Sequence, residues 1–202
     1  MNRPSFTSSD VAESDSICGW INHSNEVETF HELFFNIMYD PDMAIKYKFL
    51  SLCMAIESYF GYYYPNKKHM DNSDWESLRD EIFEVIPDEA EAADRLKGLI
   101  GNIGNDYSLK DKLDVITKEH SDVISECFDR ESALEDIHNT RNDIAHGYGG
   151  DLAGSKTNKD KLIPLLFKTR IIVEICMYDV IGLSDKKILA IIESKYKTSS
   201  LE

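Results

Sequence analysis

The chain has 202 residues, a formal net charge of −15 at pH 7, 42% apolar and 29% charged side chains. That length and balance fit one globular domain, or one domain with tails, able to build a core without disulfides or metals, and they exclude a disordered or bilayer-embedded chain. So acidic a surface also excludes a protein that coats nucleic acid through bulk charge, because phosphate neutralisation needs a basic face; any such contact has to be local.

Residues 1–23 are rich in Ser, Asp and Asn, carry little periodicity and are expected to form a mobile leader, Trp20 and Ile21 notwithstanding. A helical domain is predicted over residues 24–198. Apolar spacing predicts helices at Asn25–Tyr39, ahead of Pro41, at Met43–Tyr64, closed by Pro65, and at Ser73–Ile86, closed by Pro87. Asp88–Ile100 follows, ending in Gly101 and Gly104, and then Leu109–Phe128, Glu131–His146, Lys159–Ile181 and Ser184–Tyr196, with Gly147 and Gly182 as stops. No alternating strand or hairpin turn interrupts them. The expected fold is all-α: an antiparallel up-and-down helix bundle with two long central helices and shorter accessory ones. Residues 199–202 are expected to be a tail, and Leu201-Glu202 has the look of a tag remnant, which leaves room for partner domains in a longer protein.

The second predicted helix carries two apolar stripes. Ile45, Phe49, Leu52, Ile56, Tyr59 and Tyr63 form one; Leu50, Cys53, Phe60 and Tyr64 form the other, so the helix should be enclosed on most sides. Glu57 falls within the second stripe, where an unpaired carboxylate is costly. It either reaches solvent or meets a cation such as Arg141.

Charge is unevenly spread. Residues 151–202 hold nine Lys/Arg against seven Asp/Glu, a net of +2, which leaves −17 for the first 150. Lys156, Lys159, Lys161, Lys168 and Arg170 crowd one stretch, read either as a solvated helix face with its leading loop or as a nucleic-acid path. The four cysteines, Cys18, Cys53, Cys127 and Cys176, form no C-x-x-C pair, and three lie among apolar neighbours as reduced core thiols do. No secretion signal opens the chain, and the most apolar stretch, Leu162–Ile181, is interrupted by Lys168, Arg170, Glu174 and Asp179. A cytoplasmic setting without membrane contact is expected.

Helix Glu131–His146 has an apolar seam of Leu134, Ile137, Ile144 and, beyond the helix, Tyr148, in which position 141 ought to be apolar and is arginine. A guanidinium stays charged at any working pH, so in a seam it needs a carboxylate, carbonyls or a phosphate. Asn142 and His146 are four residues apart and share a face, while Arg141 lies about 140° around from His146, a gap its long arm can close. His146 stands in the last turn, where the negative end of the helix dipole favours the protonated imidazole, and a histidine poised near neutrality can both take and give a proton.

The string Arg141-Asn142-Asp143-Ile144-Ala145-His146-Gly147 resembles the R-x4-H signature of HEPN ribonucleases, including the polar residue after the arginine. Lys48-Phe49-Leu50-Ser51-Leu52 followed by Ala55-Ile56-Glu57 is similar to the long helix of ApeA-like HEPN domains from phage-defence proteins, and the resemblance extends over residues 26–197. It implies a homodimer in which two motifs face each other across a composite cleft for RNA. By position, Arg141 would hold the scissile phosphate and stabilise its developing charge. His146 would act as general base or acid on the ribose 2'-hydroxyl or the leaving 5'-oxygen, and Asn142 would orient the phosphate or the imidazole. The tethered 2'-hydroxyl needs no metal to attack, so no metal or cofactor is expected, and the products would be a 2',3'-cyclic phosphate and a 5'-hydroxyl.

His138, three residues before Arg141 on the same helix side, Lys156 at the cleft rim, and Glu57 are the candidate substrate-binding residues. The implied role is a metal-independent endoribonuclease acting as a toxin or antiviral effector in abortive infection, restrained by another domain or an inhibitor protein. The alternative is a catalytically silent dimerisation or scaffold module, with Arg141 paired to Glu57 and His146 merely capping its helix. A nucleotide- or small-ligand-binding helical sensor is a third reading.

Other motifs are set aside. Gly149 to Thr157 nearly spells a phosphate-binding G-x4-G-K-[ST] loop, but Ser155 is one residue too many and a helix rather than a strand precedes it, so a connector is expected. His31-Glu32 begins like a zinc-protease helix, but Phe35 occupies the place of the second histidine. His23, His69 and His120 are expected at surface or loop positions. The aromatic run Tyr59–Tyr64 offers base stacking but is better explained by helix packing, and Asp88–Asp94 reads as a solvated first helical turn.

Overall fold

The computed structural model describes residues 27–89, 92–146 and 156–196, without the side chains of Ile103, His146 and residues 156–159. The predicted leader, the Gly147 stop, residues 149–155 of the Gly149–Thr157 connector and the tail lie outside the described residues, while Lys156 and Thr157, expected in the connector, open a helix instead. Within them the elements in chain order are α1 Glu28–Tyr39, α2 Ile45–Tyr63, α3 Asn72–Val85, α4 Ala93–Ile103, α5 Leu109–Glu119, α6 Ser121–Ser125, α7 Arg130–His146, α8 Lys156–Val180 and α9 Asp185–Tyr196. No strand occurs among the described residues, only an isolated bridge between Lys68 and Asp106. None of these helices is long and apolar enough to cross a membrane.

The chain forms two compact units, one from the residues up to Tyr63 together with those from Leu109 onward, the other Tyr64–Ser108. In the first, α2 is the axis. Phe49, Leu52, Cys53, Ala55, Ile56, Tyr59 and Phe60 are buried, drawing on both predicted stripes, because α2 packs against α8, α1, α5 and α7. Each large apolar side chain enclosed this way contributes about 1.5–3 kcal/mol. The α1–α2 hairpin is tied by Asp40, whose Oδ1 accepts the backbone N–H groups of Asp42 (3.0 Å) and Met43 (3.1 Å). It is antiparallel, so Phe30 near the start of α1 meets Tyr59 near the end of α2, ring centroids 5.7 Å apart. The Tyr59 hydroxyl donates to Asp179 Oδ2 at 2.7 Å, joining the C-terminal ends of α2 and α8. Core packing is therefore the role of Tyr59 and Phe60, as their spacing predicts.

From Ile171 to Tyr178, α8 buries almost every side chain, and it ends at Gly182, whose φ of +76° is open to glycine at little cost. There the Leu183 N–H reaches back to the Tyr178 carbonyl at 3.0 Å. Glu174, 1% exposed, sits in this wall as a carboxylate. It accepts from Arg170 Nε at 2.8 Å, from Lys195 Nζ at 2.7 Å and from the Tyr196 hydroxyl at 2.9 Å, clamping α8 to α9. Burial, and then the Glu174 charge, push the Tyr196 phenol well above its usual pKa and keep it a donor.

Two expected boundaries are corrected. The single helix foreseen over Leu109–Phe128 is two, because His120 leaves helical geometry (φ −103°, ψ 33°). It stands in the turn between them, the loop position expected of it, but its ring is buried and its Nδ1 lies 2.8 Å from Asp185 Oδ1 at the start of α9. The helix foreseen over Asp88–Ile100 is Ala93–Ile103. Asp88 and Glu89 stand in a turn before it, and Asp88, solvated as expected, pairs with Lys97 Nζ at 2.6 Å from outside the helix. Gly101 lies inside α4. Gly104 ends it, packed so closely under the Trp75 indole that a Cβ would collide.

The 64–108 unit is thinly cored, with no buried residue on α3. Asn105 is its latch: Oδ1 accepts the Met70 N–H at 3.0 Å and Nδ2 donates to the Met70 carbonyl at 2.9 Å.

Removing the carboxylate from the Glu174 cluster takes the buried acceptor away from Arg170, Lys195 and Tyr196, while both cations keep access to water. Glu174→Ala is therefore expected to lower the unfolding free energy by about 1.5–3 kcal/mol in urea denaturation. A loss under about 1 kcal/mol would contradict the clamp.

Candidate functional site

Along α7 the predicted seam is half sealed and half open. Ala133, Leu134 and Ile137 are buried against the core. One and two turns later Arg141 and Ile144 are only half-buried, so the seam leaves the protein interior at its C-terminal end. The arginine stands at this exit, and its side chain retains 32% of its exposure.

Its contacts are loose. Arg141 Nη2 lies 3.6 Å from Glu57 Oε1 on α2, beyond hydrogen-bond range, and the glutamate is itself 29% exposed. Both alternatives for Glu57 are thus realised together: it reaches solvent and it faces Arg141. Nη1 donates to Asn142 Oδ1 at a long 3.3 Å. The Asn142 Nδ2 in turn lies 3.1 Å from His138 Nε2, one turn earlier on the same face. Cys53, a turn before Glu57 on α2, registers the same surroundings. Burial and then the Glu57 carboxylate push its thiol up to about 12, with Arg141 opposing.

Of the six candidate residues, Glu57, His138, Arg141 and Asn142 form one connected group. His146 is the last residue of α7 and Lys156 the first of α8; their side chains lie outside the described residues. The contact made by Asn142 is with His138, a partner that the sequence reading did not name. The i, i+4 spacing of His138 and Asn142 was the available signal. Two members of the basic stretch are engaged within the chain: Arg170 on Glu174, and Lys168 with its Nζ 5.9 Å from the Phe128 ring centroid. The open cleft of the 64–108 unit, lined by residues from Asn66 to Asp74, includes none of the candidates. His31 is buried, and desolvation lowers its pKa.

The described residues thus form an all-helical domain in which Arg141 and His146 stand five positions apart at the end of α7, with α8 and α9 following. The model of the Apea-like HEPN family matches residues 50–187, more than half of the chain, and the chain belongs to that family. The matched span runs from within α2 to the start of α9 and includes all six candidate residues, whereas α1 precedes it. No curated protein and no solved structure gave a match.

Magnitudes separate the two carboxylate clusters. A pair as long and exposed as Glu57 and Arg141 contributes at most about 1 kcal/mol, against several for a buried one. Glu57→Ala is expected to shift the urea-derived unfolding free energy by no more than about 1 kcal/mol. A loss as large as that from Glu174→Ala would mean that the Arg141 pair is a structural brace.

Proposed function

We propose that the chain is a metal-independent endoribonuclease of the HEPN type, working as a homodimer and serving as a toxin or antiviral effector under the control of a further domain or inhibitor. The observation that carries this reading is the state of Arg141: a permanent charge at the open end of an apolar seam, partnered at 3.6 Å rather than hydrogen-bonded by Glu57. A phosphate oxygen at hydrogen-bond distance is a stronger partner than that carboxylate, and a bidentate one suits the guanidinium. Glu57 then serves substrate binding as the counter-charge that yields to the phosphate.

In the reaction the 2'-oxygen bonds to phosphorus and the bond from phosphorus to the 5'-oxygen breaks. The 2'-hydroxyl proton passes to a base, and the leaving oxygen takes a proton from an acid. Arg141 stabilises the charge gathering on the non-bridging oxygens. His146, in the last turn of α7, supplies the base or the acid, and the copy from a second subunit supplies the other. Lys156, opening α8, contacts the RNA backbone at the rim. With a net charge of −15, recognition depends on these few local cations and not on a basic surface.

One observation favours the silent-module alternative. Glu57 already faces Arg141 within its own subunit, and its negative charge disfavours a phosphate there.

Purified chain incubated with RNA in excess chelator tests the proposal. Cleavage yielding 2',3'-cyclic phosphate ends is expected, falling at least about 100-fold in Arg141→Ala and in His146→Ala. Equal cleavage by all three proteins, or none by the unaltered chain, would contradict it.

A further inference from the structure

Hydrogen-bond bookkeeping around Asn142 fixes more than the two distances. A guanidinium can only donate, so the amide atom facing Arg141 Nη1 at 3.3 Å has to be the oxygen. The amide nitrogen is then turned toward His138 Nε2 at 3.1 Å. An amide nitrogen also only donates, so Nε2 must be the unprotonated ring atom and the proton belongs on Nδ1. That Nδ1 is buried and has no hydrogen-bond partner among the described residues. The carboxylate one turn earlier, Glu135, is committed elsewhere: Oε1 accepts from Asn139 Nδ2 at 3.1 Å, and Oε2 pairs with Lys110. This assignment gives the ring the opposite of the tautomer that predominates in free histidine and leaves its buried donor without a partner among the described residues.

We propose that His138 is a positioning residue for Arg141, acting through Asn142 as a fixed acceptor. An arginine with a single ionic contact beyond hydrogen-bond range is free to sweep. A second contact, through an amide that is itself pinned, holds one edge of the guanidinium and leaves the rest available to a ligand. Without an acceptor at position 138 the Asn142 amide can rotate, and Arg141 keeps only its long approach to Glu57. The inference rests on reading Arg141 as the phosphate-holding group, and it moves His138 from the substrate-binding role expected of it to that of orienting a residue that touches substrate.

The choice of variants follows from the geometry. Glutamine places Oε1 as many bonds from the backbone as histidine places Nε2, so His138→Gln restores an acceptor at the same reach. His138→Leu removes it, and His138→Lys offers only donors.

Nitrogen NMR of the full chain is expected to show His138 protonated at Nδ1 and unprotonated at Nε2. Rotation of the Arg141 guanidinium should be hindered in the unaltered protein and in His138→Gln, and averaged in His138→Leu and His138→Lys. With a fluorophore-quencher RNA as substrate, the Leu and Lys variants should lose about tenfold in kcat with KM held within about twofold, while Gln stays within about twofold in both. Urea titrations of each variant check that it folds; if Leu does not, the Gln and Lys comparison and the tautomer of the unaltered protein still decide. An Nε2-protonated His138, or a folded Leu variant with unchanged guanidinium rotation and kcat, would overturn the proposal. If the unaltered protein leaves RNA intact, the ribonuclease reading fails on its own, and the tautomer and guanidinium measurements continue to test the positioning role.

Discussion

Arg141 cannot lose its charge, and α7 carries it to the place where an apolar seam leaves the core. Deeper in the seam an arginine would need a buried carboxylate hydrogen-bonded to it inside the chain; farther out it would be an ordinary solvated side chain. At the exit it is one-third exposed, approached by Glu57 without a hydrogen bond, and touched on its other edge by Asn142. The group is held in place but not saturated, which is the condition for a side chain that must accept an anion and release it.

The rest of the fold sets that position. Burial of α2 on most of its sides fixes where Glu57 stands, since Cys53 and Phe60 on its own face are in the core while Glu57 reaches the edge. Ala133, Leu134 and Ile137 fix the near half of α7, and Arg130 at its start bonds Thr117 Oγ1 at 3.0 Å and pairs with Asp114, anchoring it to α5. The free half of α7 then projects the motif from a rigid base. For the proposed ribonuclease, rigidity would matter because arginine is long, and an ångström of misplacement at a reacting phosphate costs far more in rate than the same error costs in stability.

What could be read in advance followed from local pattern. The helices, the enclosure of α2 and the anomaly at position 141 are all written in periodicity, because a helix face repeats with its own sequence. Glu57 could be narrowed to two outcomes but not resolved, since its exposure depends on how α2 and α7 sit side by side. The Glu174 cluster was hidden for a related reason. Arg170 is an i, i−4 neighbour and visible, but Lys195 and Tyr196 come from the next helix and meet the carboxylate only after folding. His120 misled because nothing nearby in sequence marks a break; its partner, Asp185, is 65 positions on. Asp88 misled in the opposite way: it is solvated as an acid of a first helical turn would be, yet the helix begins only at Ala93.

The account predicts that an anion finds Arg141 before it finds any other cation of the chain. A nitrogen NMR titration of the guanidinium resonances with a 2'-O-methyl RNA oligonucleotide, which binds but cannot be cleaved, tests this most directly. The Arg141 resonance should shift saturably and ahead of Arg130 and Arg170, both of which are engaged by carboxylates. An Arg141 resonance that stays still while the oligonucleotide binds elsewhere, or is not bound at all, would contradict the account.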